Sequence, residues 1–515
     1  MPDSFLMIGL INVLDPINIA AILLGTLIGM FIGAMPGLSA TMAIALLLPL
    51  TFSFRPETGL ALLASLYLGA MYGGSIAAIL LRTPGTPAAA ATVIDGFPLA
   101  QQGKAGKALG FSLTASLIGG LLSSIVLLTV APLLGALVLN FGPVQIFAIA
   151  VLGMTIIGSL STGSAVLGLL AGALGLLLGT IGMDPTTGTP RFTMDNLSLF
   201  GGVPFTVALI GLFSVPQAIR LIVDGDKAKT MTEDAPGGMV KTVSKIKDRM
   251  LPTGRQFIEM LPNSLRSGVI GVIVGLIPGT GGDTASWFAY NEAKRFSREK
   301  EKFGTGHTPG IVAPEAANNA VVGGSLIPTI ALGIPGSSAT AVLLGGLMVH
   351  GILPGPTLMT DHGAVTYTLL WAVFFANIAL FVVGIMFTRA CISVTKIPNR
   401  VVGPVIIVLS IIGAFAINNS VFDIWLMLGF GFLGFLLDSC KVPTPPLVIG
   451  LILGPVLDTS LQQSLLIGGG SWMVFFESKI SAVLLVIAFL SILQATPLFR
   501  WIGIGLRRVR SSQQS

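Results

Sequence analysis

Ten stretches of this chain hold no Asp, Glu, Lys or Arg, and they constrain its fold more than any other feature. They are Pro16–Met35, Thr58–Leu81, Ala108–Asn140, Pro143–Met183, Leu199–Ile219, Ser267–Gly282, Ala316–Val349, Gly363–Thr388, Val401–Phe422 and Ile480–Phe499. A helix needs roughly 20 apolar residues to cross the hydrocarbon core of a bilayer. Several stretches suffice for one crossing and a few for two, so the expectation is about 12 membrane segments, re-entrant ones included. Charged residues make up 10% of the chain against about 25% in a soluble protein. The runs are continuous rather than alternating, which selects helices over a transmembrane barrel. The many glycines and the low aromatic content, 65 Gly and 7%, point to closely packed helices. Cys391 and Cys440 form no metal or disulfide pattern. The N-terminus MPDSFLMIGL lacks the positive start of a cleavable signal peptide.

The chain repeats itself. GMFIGAMPGLSA at Gly29–Ala40 returns as GVIVGLIPGTGG at Gly271–Gly282. Gly73–Ser75 returns as Gly323–Ser325, and Gly142–Val144 as Gly403–Val405, in the same order. Loop charge suggests that the copies are inverted, because cytoplasmic loops carry the excess of Lys and Arg. In the first half the early loop holds only Arg55 and the later one Lys104 and Lys107. In the second half the early loop holds Lys294, Arg295, Arg298, Lys300 and Lys302, and the later one, His350–His362, no Lys or Arg. The expected architecture is an all-α polytopic membrane protein of two inverted-topology repeats, residues 1–223 and 266–499. A charged cytoplasmic connector, 224–265, joins them, and a basic cytoplasmic tail, 500–515, ends the chain. Inverted repeats of this kind are common in secondary transporters.

Pro-Gly pairs interrupt both halves at matching positions: Pro36-Gly37, Pro84-Gly85, Pro278-Gly279 and Pro335-Gly336. Proline withholds the helical N–H and glycine tolerates backbone angles closed to other residues, so each pair predicts a broken helix or re-entrant hairpin. Small hydroxyl residues follow each break and suit the start of a new helix. A helix start at membrane depth offers free N–H groups and partial positive charge to an anion. Packing kinks are the bland alternative for any one pair; their register across a repeat favours a binding site. The candidate substrate-binding residues are Pro36, Gly37, Ser39, Thr41, Thr83, Gly85, Thr86, Pro278, Gly279, Thr280, Gly282, Gly336, Ser337 and Ser338.

Asp283 stands where the first copy has Thr41, and intramembrane carboxylates are usually functional. It is a candidate for coupling to a cation or proton, with an interfacial position as the alternative. Asn318 and Asn319, beside Glu315, offer amide oxygens to a sodium ion, or they cap a helix start. A sodium near Asp283 and Asn319 is therefore one expectation; no other cofactor and no catalytic residue are expected. Asp423, Asp438, Asp458 and Glu477 read as interfacial.

The stretches GAMPGLSATMAIALLLPLTF, LYLGAMYGGSIAAILLRTPGTPAAAATVIDG, VGLIPGTGGDTASWFAY and PEAANNAVVGGSLIPTIALGIPGSSATAVLLG resemble the large membrane subunit of tripartite tricarboxylate transporters, the TctA-type permease. The resemblance runs from Ile17 to about Phe499. It implies a small four-helix membrane subunit and a periplasmic substrate-binding protein as partners, in the bacterial inner membrane. It also implies uptake of tricarboxylates, dicarboxylates or aromatic carboxylates driven by sodium or protons, with the substrate held at Pro36–Thr41, Thr83–Pro87, Pro278–Thr284 and Gly333–Ser338. Two other classes compete. An intramembrane enzyme would need paired aspartates, a Ser-His pair or a zinc motif; the histidines, His307, His350 and His362, fall in predicted loops and no HExxH occurs. A passive anion channel is the other; dependence of uptake on an ion gradient, and saturation at modest solute concentration, would separate a carrier from it.

Overall fold

In a computed structural model, residues 2–35, 37–160, 164–184, 186–224, 248–355, 357–390 and 399–495 are described. Helices dominate them. In the first half they are α1 (Pro2–Val13), α2 (Pro16–Gly33), α3 (Ala40–Leu47), α4 (Pro56–Leu81), α5 (Ala90–Gln101), α6 (Ala105–Val138), α7 (Pro143–Leu160), α8 (Ala165–Gly179) and α9 (Phe205–Asp224). The second half continues with α10 (Gly254–Leu276), α11 (Gly281–Phe296), α12 (Pro309–Leu332), α13 (Ser338–Val349), α14 (Leu358–Asp361) and α15 (Gly363–Ala390). It closes with α16 (Asn399–Asn418), α17 (Val421–Ser439), α18 (Thr444–Ile467), α19 (Val474–Glu477) and α20 (Lys479–Ala495). Two short strands, β1 (Gly182–Met183) and β2 (Pro190–Arg191), pair antiparallel. Eight of the described helices are long and apolar enough to cross a membrane, and several shorter apolar ones accompany them. The polar part of the connector, 225–247, the basic tail and Cys391 lie outside the described residues.

The helices start where local chemistry lets them. Pro16 opens α2, and the Asp15 carboxylate accepts the Ile17 N–H at 2.9 Å, satisfying a donor that the helix itself leaves free. Pro56 and Pro309 open α4 and α12, where a missing N–H costs nothing. Thr253 and Gln256 close a reciprocal cap on α10.

The chain divides into two compact units, each drawing on both halves of the sequence. The first holds Met1–Leu139 and Thr206–Phe435. Within it α2 lies along α4, and α10 along α12. Both contacts use small residues to bring backbones together: Gly25, Gly29 and Gly33 face Leu62, Leu66 and Ala70, while Gly271 and Gly275 face Ala317 and Val321. The same kind of pairing recurs elsewhere. Helix α4 packs on α15 and α12 on α6; α3 packs on α13 and α11 on α5. Helix α9 shares a core with α16 and α17 through Val207, Ile210, Val215, Ala414 and Met427.

The loops of this unit sort by composition. Gln102, after α5, donates to the Thr305 carbonyl at 2.7 Å, and the Gly106 and Lys107 N–H groups reach Asp248 at 2.8 and 2.7 Å. These are the lysine-bearing loops. The sparsely charged ones also meet, because a Cβ on Gly59 would stand 2.9 Å from His350 Nε2.

The second unit holds Asn140–Phe205 and Leu436–Ser515. There α18 packs on α7 and α8, with Gly172 and Gly175 against Pro446 and Leu447, and α20 packs on α7. Asp458, expected at a segment end, lies inside α18 and receives Arg191 at 2.7 Å; Arg191 also holds Asp184. The Thr186 N–H, with help from Arg191 and Thr187, keeps the Asp184 carboxyl well below the ordinary carboxylate range.

Candidate functional site

Each Pro-Gly pair coincides with a chain break. Helix α2 stops at Gly33, Gly37 takes φ +89°, and α3 resumes at Ala40, where the Ser39 hydroxyl accepts the Met42 N–H at 3.2 Å. Pro36 lies outside the described residues. Helix α10 stops at Leu276, Gly279 takes φ +81°, and α11 resumes at Gly281. The other two breaks match one another residue for residue. Helix α4 ends on Arg82 in the left-handed region and α12 on Gly333 likewise, at φ +59° and +71°. Pro84-Gly85 then leads through the 3-10 turn Pro87–Ala89 into α5, and Pro335-Gly336 leads into α13.

The breaks meet in space. The Gly279 N–H donates to the Gly336 carbonyl at 2.9 Å, joining the two breaks of the second half. In the first half, a Cβ on Gly85 would collide with the Gly33 carbonyl oxygen. Across the halves, the start of α11 packs on Pro87–Ala89 and α13 packs on α3. Gly282 lies where these elements meet: a Cβ there would meet Asn318 Oδ1 and Met71 Cε at 2.7 Å and Ala88 Cβ at 3.2 Å. Thus α4, the turn before α5, α11 and α12 converge on one residue.

Many of the expected binding groups already have partners. The Gly85 N–H donates to the Gly74 carbonyl at 3.2 Å and the Gly336 N–H to Thr329 Oγ1 at 3.2 Å. The Thr280 hydroxyl folds back onto the Val274 and Ile277 carbonyls at 2.5 and 2.8 Å. Ser337 forms a reciprocal cap with Thr340 and lies 3.2 Å from the Tyr67 hydroxyl of α4. Gly37 gives its carbonyl to Gln217. Thr83 and Ser338 are half-buried, Thr41 sits buried in the first turn of α3, and Asp283 sits half-buried in the first turn of α11.

Three buried atoms remain without a hydrogen-bond partner among those of the described residues that line these elements: Asn318 Oδ1, which lies against Gly282, Thr86 Oγ1, which lies against Gly74 of α4, and Asn319 Oδ1, whose amide group faces Ser116 of α6. Leaving a buried polar atom unpaired costs about 1–3 kcal/mol, so a group of them calls for an explanation in terms of a ligand, an ion or water. Capping does not supply it. Glu315, Asn318 and Asn319 lie well inside α12, which begins at Pro309, and not at its start.

Sequence reasoning missed what surrounds Glu315. This fully buried carboxylate receives Ser75 at 2.6 Å and Thr92 at 2.5 Å on Oε1, and Ser112 at 2.9 Å and Ser116 at 3.2 Å on Oε2. Ser116 also accepts the Asn319 side-chain N–H at 2.8 Å. The available signal was Ser112 and Ser116, four residues apart and thus on one face of α6. A second buried carboxylate, Asp95 on α5, accepts the N–H groups of Gly304, Gly306 and His307 at 2.9, 3.0 and 2.8 Å, and the Tyr290 hydroxyl at 3.0 Å. It thereby ties the first half to the link between α11 and α12. Burial lowers the His307 pKa from the usual histidine value, favouring the neutral ring in that loop.

Residues 19–449 match the family described as the Tripartite tricarboxylate transporter TctA family. The chain belongs to the tripartite tricarboxylate transporter TctA family. A TctA-family relative from Agrobacterium vitis, the uncharacterized 52.8 kDa protein in the TAR-I ttuC' 3'region, is 34% identical over 484 residues, covering 94% of each chain. An uncharacterized protein in the TAR-II ttuC' 3'region of the same organism is 33% identical over 215 residues, which is 42% of this chain and 89% of that one. No solved structure matches this TctA-family chain. Membership implies a tricarboxylate transporter permease, working with a substrate-binding protein and a small subunit. The multiple apolar helices agree with a multi-pass membrane protein.

Proposed function

We propose that this chain is the permease subunit of a binding-protein-dependent secondary active transporter that imports small carboxylates by sodium or proton symport. The substrate class is a tricarboxylate or a related dicarboxylate or aromatic carboxylate. Its setting is the bacterial inner membrane, with a small four-helix subunit and a periplasmic binding protein as partners. The observation that carries this reading is the convergence of broken helices from both halves on Gly282, with the unpaired buried oxygen of Asn318 against it. The first turn of α11 directs its dipole toward that point, which suits an anion. The orphaned oxygens of Asn318 and Asn319 suit a cation, and Asp283 opens the same helix. An anion and a cation bound together partly offset one another's charge, which eases transfer through a low-dielectric interior.

We also read the halves as inverted repeats. The recurring helix pairs support this, as does the exchange in which α9 packs with α16 and α17 while α18 packs with α7 and α8. In that arrangement the substrate sits between the repeats, as in other carriers built from broken helices.

Vesicles containing this chain, its small subunit and its binding protein test the reading. A panel of labelled carboxylates is offered while sodium and proton gradients are imposed separately. Saturable uptake that collapses without one gradient is expected. Uptake that ignores both gradients and does not saturate would favour a passive anion channel, and no uptake by a folded, assembled complex would remove the substrate class.

A further inference from the structure

We propose that Glu315 is a proton-binding site, a role that rests on reading the chain as an ion-coupled carrier. The carboxylate sits in a cage built by four hydroxyls from three other helices: Ser75 on α4, Thr92 on α5, and Ser112 and Ser116 on α6. Its side chain has no cation among its partners in the described residues. An isolated buried ion costs several kcal/mol even after relaxation. Four donors reduce that cost without removing the charge, so the site is poised to accept one positive charge. The hydroxyl oxygens stand in direct hydrogen-bond contact with the carboxylate, leaving no room for a metal ion between them. A proton needs none.

The neighbouring side chains give the proton a consequence. Ser116 has the longest of the four contacts and also bridges to Asn319. When a proton from solvent binds Oε2, the new acid O–H donates to Ser116, and Ser116 must turn its own hydrogen elsewhere. Rotation of the Asn319 amide presents Oδ1, the atom that otherwise lacks a partner, to receive it. Loss of the proton to the other side reverses both steps. Asn318, the next residue of α12, has its own unpaired oxygen against Gly282, so the change is made within one helical turn of the convergence of breaks.

Other titratable and charged groups on the packed elements are accounted for. Helix α4 carries Glu57 in its first turn, Tyr67 and Tyr72 along its length and Arg82 at its end, and α6 carries Lys107 over the Phe111 ring, 5.6 Å from its centroid. Helix α10 carries Arg255, Glu259 and Arg266; α11 carries Asp283, Glu292, Lys294 and Arg295; α14 carries Asp361; and α13 carries none. Asp95 lies one turn beyond Thr92 and is occupied by three backbone N–H groups and Tyr290.

Infrared spectroscopy of the full-length chain in lipid nanodiscs, without substrate, tests the site. A protonated-carboxyl band should grow as pH falls and be missing from Glu315→Gln. In Ser112→Ala, which removes one donor from the ionised form and leaves the acceptor of the acid O–H in place, the midpoint should rise by about 1 pH unit. If Glu315→Gln fails to fold, Ser112→Ala decides alone. A spectrum unchanged in Glu315→Gln, or a midpoint unmoved in Ser112→Ala, overturns the proposal. A midpoint that follows sodium when it replaces choline overturns it in favour of a metal cation. The titration needs no transport, so failed carboxylate uptake with an intact titration counts only against the substrate reading.

Discussion

Gly85 and Gly336 occupy equivalent places after the second break of each half, and neither has space for a side chain. A Cβ on Gly336 would lie 2.6 Å from the Ser325 Cα, and one on Gly85 would strike the Gly33 carbonyl oxygen. Both obstacles are backbone, so relief requires moving a helix rather than rotating a side chain. Overpacking of this kind costs about 1–3 kcal/mol, too little to undo a large set of apolar membrane segments yet enough to displace a break. Gly85→Val and Gly336→Val are therefore expected to insert at wild-type levels and to lose uptake almost completely. Western blotting of membranes, paired with the vesicle assay, checks this. Wild-type uptake in either variant would dissociate the breaks from the substrate path. The breaks themselves were legible in the sequence because Pro-Gly is a backbone instruction. The Glu315 cage was not, because Ser75, Thr92, Ser112 and Ser116 are ordinary in small-residue helices and acquire meaning only when three helices bring them together.

The link between α11 and α12 depends on one side chain from another element. Gly304 and Gly306 adopt φ +94° and +99°, which turns their N–H groups, with that of His307, toward Asp95 Oδ1. Removing the acceptor leaves three N–H groups without it, at a cost of about 3 kcal/mol or more if they stay buried. The loop would open instead. Asp95→Ala should make Lys300 and Lys302 markedly more sensitive to trypsin in membrane preparations, whereas Asp95→Asn, which retains an acceptor oxygen, should stay close to wild type. Equal cleavage of all three proteins would show that the loop holds its shape without the carboxylate. In the sequence Asp95 sat in TVIDGFP, close to a break but with no partner in view, since its partners lie 195 or more positions away in the chain. The helix starts were easier to foresee. Pro56 and Pro309 act within a turn of themselves, and their effect needs no distant partner.

The two halves of the chain share a sequence pattern, and the packing offers a way to decide their orientation. The lysine-bearing loops around Gln102 and Thr305 touch one another, and so do the sparsely charged segments around Gly59 and His350. If the positive-inside bias sets orientation, the first pair faces the cytoplasm and the second the opposite side. Corresponding loops of the two halves then lie on opposite faces, as inverted repeats require. Composition alone could supply the bias but not the contact. The contact alone could not say which face is inside. Single cysteines placed at Glu301 and at Leu353, both exposed, in a chain with Cys391 and Cys440 replaced, separate the possibilities. With an impermeant thiol reagent added outside sealed right-side-out vesicles, Leu353→Cys should label and Glu301→Cys should label only after the membrane is opened. The reverse pattern would turn the whole chain over while keeping the repeats inverted. Equal labelling of both from one side would put the two loops on the same face, and the inverted reading would fall with it.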